Sequence, residues 1–189
     1  MTPFKELFDE KGYEWYDRDM PFNLNIFGVR NSKRRVNAFD DFLYVIYRNH
    51  NLDWRIHQWE ITTDPGLSVL ENPINQEGTA ILVPGQYKSA YKLGLHRGKY
   101  KALVQQGGTV KVYRDNNRDN VHDFDENTIE EGWFGINIHK AGTDSNLVDG
   151  WSAGCQVFKR EKDFNEFIEI CDKAAGIYGN SFTYTLFHI

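Results

Sequence analysis

The sequence predicts a mainly β fold, β-sandwich-like with a few peripheral helices, and three observations carry that reading. Phe (13) and Tyr (10) far outnumber Met (2), a balance that suits pleated surfaces better than a helical bundle. Several segments alternate apolar and polar residues at period two. Turn chemistry built on Gly, Pro, Asn and Asp interrupts them at short intervals. A hydrophobic fraction of 40% over 189 residues supplies material for one core.

The elements follow in order. Residues 2–11 read as a short amphipathic helix, with Thr2 as its cap and Pro3 at its first position. Residues 1–20 are expected to form a helical appendage, and residues 21–189 a single β-rich domain. Residues 22–29 alternate, whereas 42–47 are a continuous β-branched and aromatic run suited to a strand buried on both faces. Residues 54–63 alternate until Asp64-Pro65-Gly66 stops them, placing Trp54, Ile56 and Gln58 on one face and Arg55, His57 and Trp59 on the other. Further strands are predicted at 79–83, 100–105, 109–113 and 135–139, with Gly107-Gly108 as a hairpin turn between two of them. Phe164, Phe167, Ile168 and Cys171 recur at three- and four-residue spacing, which predicts a helix over 161–175 that ends at Gly176 or Gly179. Residues 182–187 close the chain as a strand.

Charge narrows the function classes. Charged residues make up 26%, the net charge is −5, and the brief cluster Lys33-Arg34-Arg35 reads as a solvated loop, so no nucleic-acid partner is implied. Two cysteines, Cys155 and Cys171, make no disulfide framework. The first ten residues contain no apolar segment of signal-peptide type, and no apolar run approaches a membrane span. As encoded, the chain is expected to be cytoplasmic.

Chemistry concentrates between Gly135 and Phe158. A strand ends in His139, a polar loop follows, and Ser152-Ala153-Gly154 presents Cys155 at the head of another apolar strand, 16 positions after the histidine. Two neighbouring strands joined by such a loop bring an imidazole and a thiol to one end of a sheet. A thiol becomes a strong nucleophile only when ionised, and an imidazole can take its proton. Small residues ahead of the cysteine let backbone N–H groups reach a substrate carbonyl, as an oxyanion hole requires.

This pattern resembles the catalytic domain of L,D-transpeptidases (the YkuD-like fold), whose signature is a strand-borne His, a Gly-rich loop, then Ser or Thr, a variable residue that is usually His, and Gly-Cys. His139, Ser152, Gly154 and Cys155 fit in register; Ala153 stands where most members carry His, and Gln156-Val157 replaces an apolar residue followed by Arg or Asn. The match covers roughly residues 133–158. The resemblance implies that Cys155 is acylated, that His139 is its base, and that Ser152, Gly154 and Cys155 shape the turn and oxyanion pocket. It also implies a peptidoglycan stem peptide as substrate, with water or an amine as acceptor and no cofactor. A cell-wall substrate for a chain with no visible export signal points to a phage-encoded protein, or to export by a signal-independent route. Two rival readings are a catalytically degenerate peptide- or cell-wall-binding module and a phage virion or lysis-associated structural protein.

Secondary candidates complete the set. His57, His96 and Trp151 are expected to line the substrate pocket. Lys140, directly after His139, can only donate, so a backbone carbonyl near 140–142 is expected to orient the imidazole, rather than Thr143, Asp144, Ser145 or Asp149. Residues 115–126 place oxygen atoms at calcium-loop intervals (Asp115, Asn117, Asp119, Asp123, Glu126) but have no entering helix, and they read as an acidic solvated loop.

Overall fold

A computed structural model describes residues 2–33, 35–142 and 144–189; Arg34 of the basic cluster, Thr143 beside the His139 strand and the side chain of Thr2, offered as a helix cap, fall outside the described residues. Three α-helices, α1 (Thr2–Glu10), α2 (Leu67–Glu71) and α3 (Glu161–Tyr178), and two short 3-10 turns accompany eleven strands among the described residues. In chain order the strands are β1 (Asn25–Arg30), β2 (Asp41–Arg48), β3 (Trp54–Thr62), β4 (Thr79–Leu82), β5 (Gly85–His96), β6 (Tyr100–Gln105), β7 (Val110–Asp115), β8 (Glu130–Gly132), β9 (Ile138–Lys140), β10 (Gln156–Phe158) and β11 (Phe182–His188). The fold is mainly β, as expected.

The sandwich arrangement is not what forms. Eight strands close into a barrel in the order β1-β11-β5-β6-β9-β10-β3-β2, and β4, β7 and β8 make a separate three-stranded sheet. The closure comes from β1, which pairs in parallel with β11 and antiparallel with β2, so the ring has no open edge. Sandwich and barrel share the same alternation, and only this long-range pairing separates them.

Two local expectations are also revised. Gly107-Gly108 is no hairpin turn: β6 pairs with β5 and β9, while β7 pairs with β4 and β8. The chain leaves the barrel there, and the Gly107 N–H donates to the Ala90 carbonyl. The long strand β5 was hidden because its pairing with β11 shifts register between Phe182 and Tyr184, and Ser89 adopts φ +54°. Such a bulge reverses the alternation midway through a strand.

The core fills the barrel and continues under α3, whose Phe164 and Phe167 pack on Phe158, Phe167 also on Trp59, and whose Cys171 is buried in the same cluster. Cys171 is therefore a core residue, as its spacing suggested. On the outer wall Phe8 of α1 is packed among Trp15, Phe27 and Phe187. That covers β2 on its second face and accounts for its continuous apolar run. No helix of the described residues is long and apolar enough to cross a membrane.

A second buried cluster is ionic. Arg30, fully buried, donates through Nη1 to the Leu82 carbonyl and through Nη2 to the Thr63 carbonyl, while its Nε lies 2.9 Å from both Thr63 Oγ1 and Asp64 Oδ1. Asp41 accepts from the N–H groups of Asn31 and Thr63 and from the Thr63 hydroxyl. Burial and the nearby Asp64 push its carboxyl up to about 6.

Candidate functional site

The barrel sets His139 and Cys155 on adjoining chain segments. β9 and β10 run in parallel, with Gln156 opposite Ile138 and Val157 opposite His139. Cys155, one residue before β10, lies alongside Asn137: the Gln156 N–H donates to the Asn137 carbonyl at 2.9 Å, and the Asn137 N–H points at Cys155 Sγ at 3.4 Å. The regular ladder begins at Ile138, later than the sequence suggested, because the N–H groups of Phe134 and Ile136 donate to the Gln105 side chain.

The turn ahead of Cys155 is held on every side. The Ser152 hydroxyl donates to the Cys155 carbonyl at 2.9 Å and accepts from the Gly154 N–H at 3.2 Å. Gly154 has φ +113°, and a Cβ there would run into the Ala80 carbonyl, so glycine alone fits. Fully buried Gln156 donates to the Gly154 carbonyl and accepts from the Tyr184 hydroxyl, which gives this residue a structural task inside the barrel. Outside it, the Gly66 N–H donates to the Ser152 carbonyl and Asn37 bonds both Asp149 and Val148.

His139 is buried, and its Nδ1 lies 2.9 Å from the carbonyl oxygen of Lys140. The acceptor is thus main chain, of the kind the sequence called for. The loop carboxylates are engaged elsewhere, Asp144 accepting from the Glu161 N–H and Asp149 from the Asn37 amide. A proton on Nδ1 leaves the Nε2 lone pair open. The Tyr100 hydroxyl lies 3.3 Å from both Nδ1 and that same carbonyl, bracing the ring.

His96 stacks on His139 with ring centroids 4.0 Å apart at 21°. The Asn137 Oδ1 accepts from the Gln105 N–H, so its Nδ2 is the donor to His96 Nδ1 at 3.1 Å, and His96 must carry its proton on Nε2. Burial, and then the neighbouring His96, lower the His139 pKa to about 3. His96 is itself lowered by burial and by Arg97. Burial raises the Cys155 thiol to about 11, against the opposing pull of the Asn137 N–H and the Arg97 charge. The resting pair is a neutral thiol beside neutral imidazoles.

The thiol makes two main-chain contacts, accepting from Asn137 N–H and donating to the Gly135 carbonyl at 3.4 Å. Among the described residues no hydrogen bond joins Cys155 Sγ to His139. The oxyanion donor expected at Gly154 is not free, because its N–H is held by Ser152. The Cys155 N–H donates to no described residue and remains available.

Of the pocket candidates, His96 joins the site. His57 does not: it sits between the rings of Tyr47 and Trp59, with Nδ1 3.2 Å from Glu166 of α3, and helps dock that helix. Trp151 lies over Gly142 in the loop connecting β9 to β10. Tyr100, Asn137 and Arg97 escaped the sequence reading. Asn137 was within reach, since period-two alternation puts it on the face of His139. Residues 115–126 fold on themselves, with Asp115 accepting from the Asp123 N–H and Asp119 from the Val121 N–H. Among the described residues no three His, Cys, Asp or Glu side chains are grouped to hold a metal.

Comparisons with family models, curated proteins and solved structures find no match to this chain.

Proposed function

We propose that the chain is a cysteine acyl-transfer enzyme of L,D-transpeptidase type acting on peptidoglycan stem peptides. The observation that carries the reading is the fixed tautomer of His139: its Nδ1–H faces the Lys140 carbonyl, which leaves Nε2 as an open base on the strand beside Cys155. In the first half-reaction the Cys155 thiol gives its proton to His139 Nε2 as sulfur attacks the peptide carbonyl. The Cys155 N–H holds the developing oxyanion. The C–N bond breaks, the thioester forms, and His139 returns the proton to the departing amine. Water or a second amine then attacks the thioester, with His139 taking and returning a proton again. Because the thiol rests protonated, proton transfer accompanies attack instead of preceding it.

The test is incubation with purified peptidoglycan fragments and mass analysis of the products. Loss of a terminal residue, or cross-linked dimers, is expected with the native chain and not with Cys155→Ala. Unchanged fragments would turn the reading toward a second one, a peptide-binding module without catalysis. That alternative is favoured by one observation: the thiol donates to the Gly135 carbonyl and not to His139.

A further inference from the structure

Two imidazoles meet face to face in this site, and the surrounding hydrogen bonds set them in opposite tautomers. The Lys140 carbonyl holds the His139 proton on Nδ1, whereas Asn137 Nδ2 donates to His96 Nδ1 and leaves the His96 proton on Nε2. The rings are stacked with centroids 4.0 Å apart. One ring thus offers a lone pair at Nε2, and the other offers an N–H. Among the described residues that His96 N–H meets no acceptor.

Asn137 ties this ring to the thiol. Its side chain holds His96 at 3.1 Å, its N–H lies 3.4 Å from Cys155 Sγ, and its carbonyl accepts from the Gln156 N–H. Its Oδ1 is fixed in turn by the Gln105 N–H, so the amide cannot turn over without losing that bond. His96 enters from β5, and Tyr100, its partner across the hairpin, touches His139 Nδ1. Nucleophile, base and donor are therefore joined by contacts, through one asparagine and one stack. The Gly154 N–H is held by Ser152, which leaves the Cys155 N–H without a companion there. Two N–H donors are the usual complement for a tetrahedral oxyanion.

We infer that His96 is a catalytic residue whose Nε2–H is the second donor to the oxyanion, and that Asn137 is the positioning residue that sets its tautomer. The inference rests on the reading of Cys155 as the nucleophile. As the thiol proton passes to His139 Nε2 and sulfur bonds to the carbonyl carbon, the carbonyl π pair moves onto oxygen. The N–H groups of Cys155 and His96 hold it there. The pair returns as the C–N bond breaks, and the amine leaves with the proton from His139. His96 keeps its own proton throughout. A neutral imidazole suits this place, because a second imidazolium stacked on His139 would oppose its protonation. Burial and Arg97 lower the His96 pKa, which keeps the ring neutral.

Acylation and alkylation separate the donor from the nucleophile, since only acylation develops an oxyanion. The chain is treated near pH 8 with p-nitrophenyl acetate and, separately, with iodoacetamide, and modification of Cys155 is followed by peptide mass mapping. Nitrogen-15 spectra of the histidine rings report the tautomers. The native chain is expected to show His139 as Nδ1–H and His96 as Nε2–H. His96→Phe, which keeps a stacked ring and removes the donor, should slow acylation about 100-fold while alkylation stays within about 3-fold of native. His96→Gln, with an amide N–H, should recover part of the acylation rate. Asn137→Asp should draw a proton onto His96 Nδ1 and slow acylation. An unchanged His96 tautomer in that variant overturns the part given to Asn137. A native His96 protonated on Nδ1, or acylation that falls no more than alkylation in His96→Phe, overturns the donor and leaves the nucleophile standing. No modification of Cys155 by either reagent overturns both.

Discussion

Two buried polar clusters occupy this barrel, and they are built on opposite plans. Around Arg30 the charge is answered: Asp64 lies beside the guanidinium, and each of its three nitrogens donates to Thr63 or to the Leu82 carbonyl. Around Cys155 the two imidazoles are also buried and the thiol is half-buried, yet His139, His96 and the thiol carry no countercharge and rest neutral. A buried cation answered by a carboxylate holds the fold. Under the proposed function, a cluster of neutral groups with an open nitrogen and an open N–H is the kind that responds when a substrate brings developing charge. The chain joins them, because Asp64-Pro65-Gly66 runs from the first cluster to the Gly66 N–H that holds Ser152.

The comparison breaks most sharply under substitution. Cys155→Ala should abolish turnover, by roughly 1,000-fold or more, with an unchanged thermal melt; a large loss of stability there would make Cys155 a packing residue. Arg30→Met should do the reverse, costing roughly 3–5 kcal/mol in urea unfolding, since one partner of a buried ion pair is removed. A stability change below about 1 kcal/mol would mean the cluster does not hold the fold.

The acid limb sharpens the contrast. His139 falls from 6.5 to about 3 on folding, so between those values the unfolded chain binds the extra proton and stability is lost as pH falls. Asp41 rises from 3.8 to about 6, so there the folded chain binds the extra proton and its contribution runs the other way, weakening as pH rises through that window. His139→Gln should flatten the acid loss by several kcal/mol between pH 6.5 and 3. An unchanged slope in denaturant titrations would show that His139 is not held neutral by the fold. The smallest effect is expected from Cys171→Ala, on the order of 1 kcal/mol of stability and none of turnover.

Much of this was legible beforehand because it depends on local pattern. The continuous apolar run of β2, the alternation in β3, the apolar spacing of α3 and the His139 to Cys155 interval are all short-range signals. Closure of the barrel was not legible, since it joins β1 to β11 across nearly the whole chain. The bulge in β5 hid the strand that delivers His96, and with it the turn that carries Arg97. Gln156 counted as a departure from the expected motif, and its work is visible only once Tyr184 stands beside it.

The most direct measurement is intact-mass analysis of the protein quenched in acid during reaction with a purified stem-peptide fragment. A covalent adduct equal to the fragment less its departing residue, mapped to Cys155 as a thioester and absent in Cys155→Ala, is the predicted result. Product formation that persists in Cys155→Ala, or an adduct that maps to another residue, would contradict it.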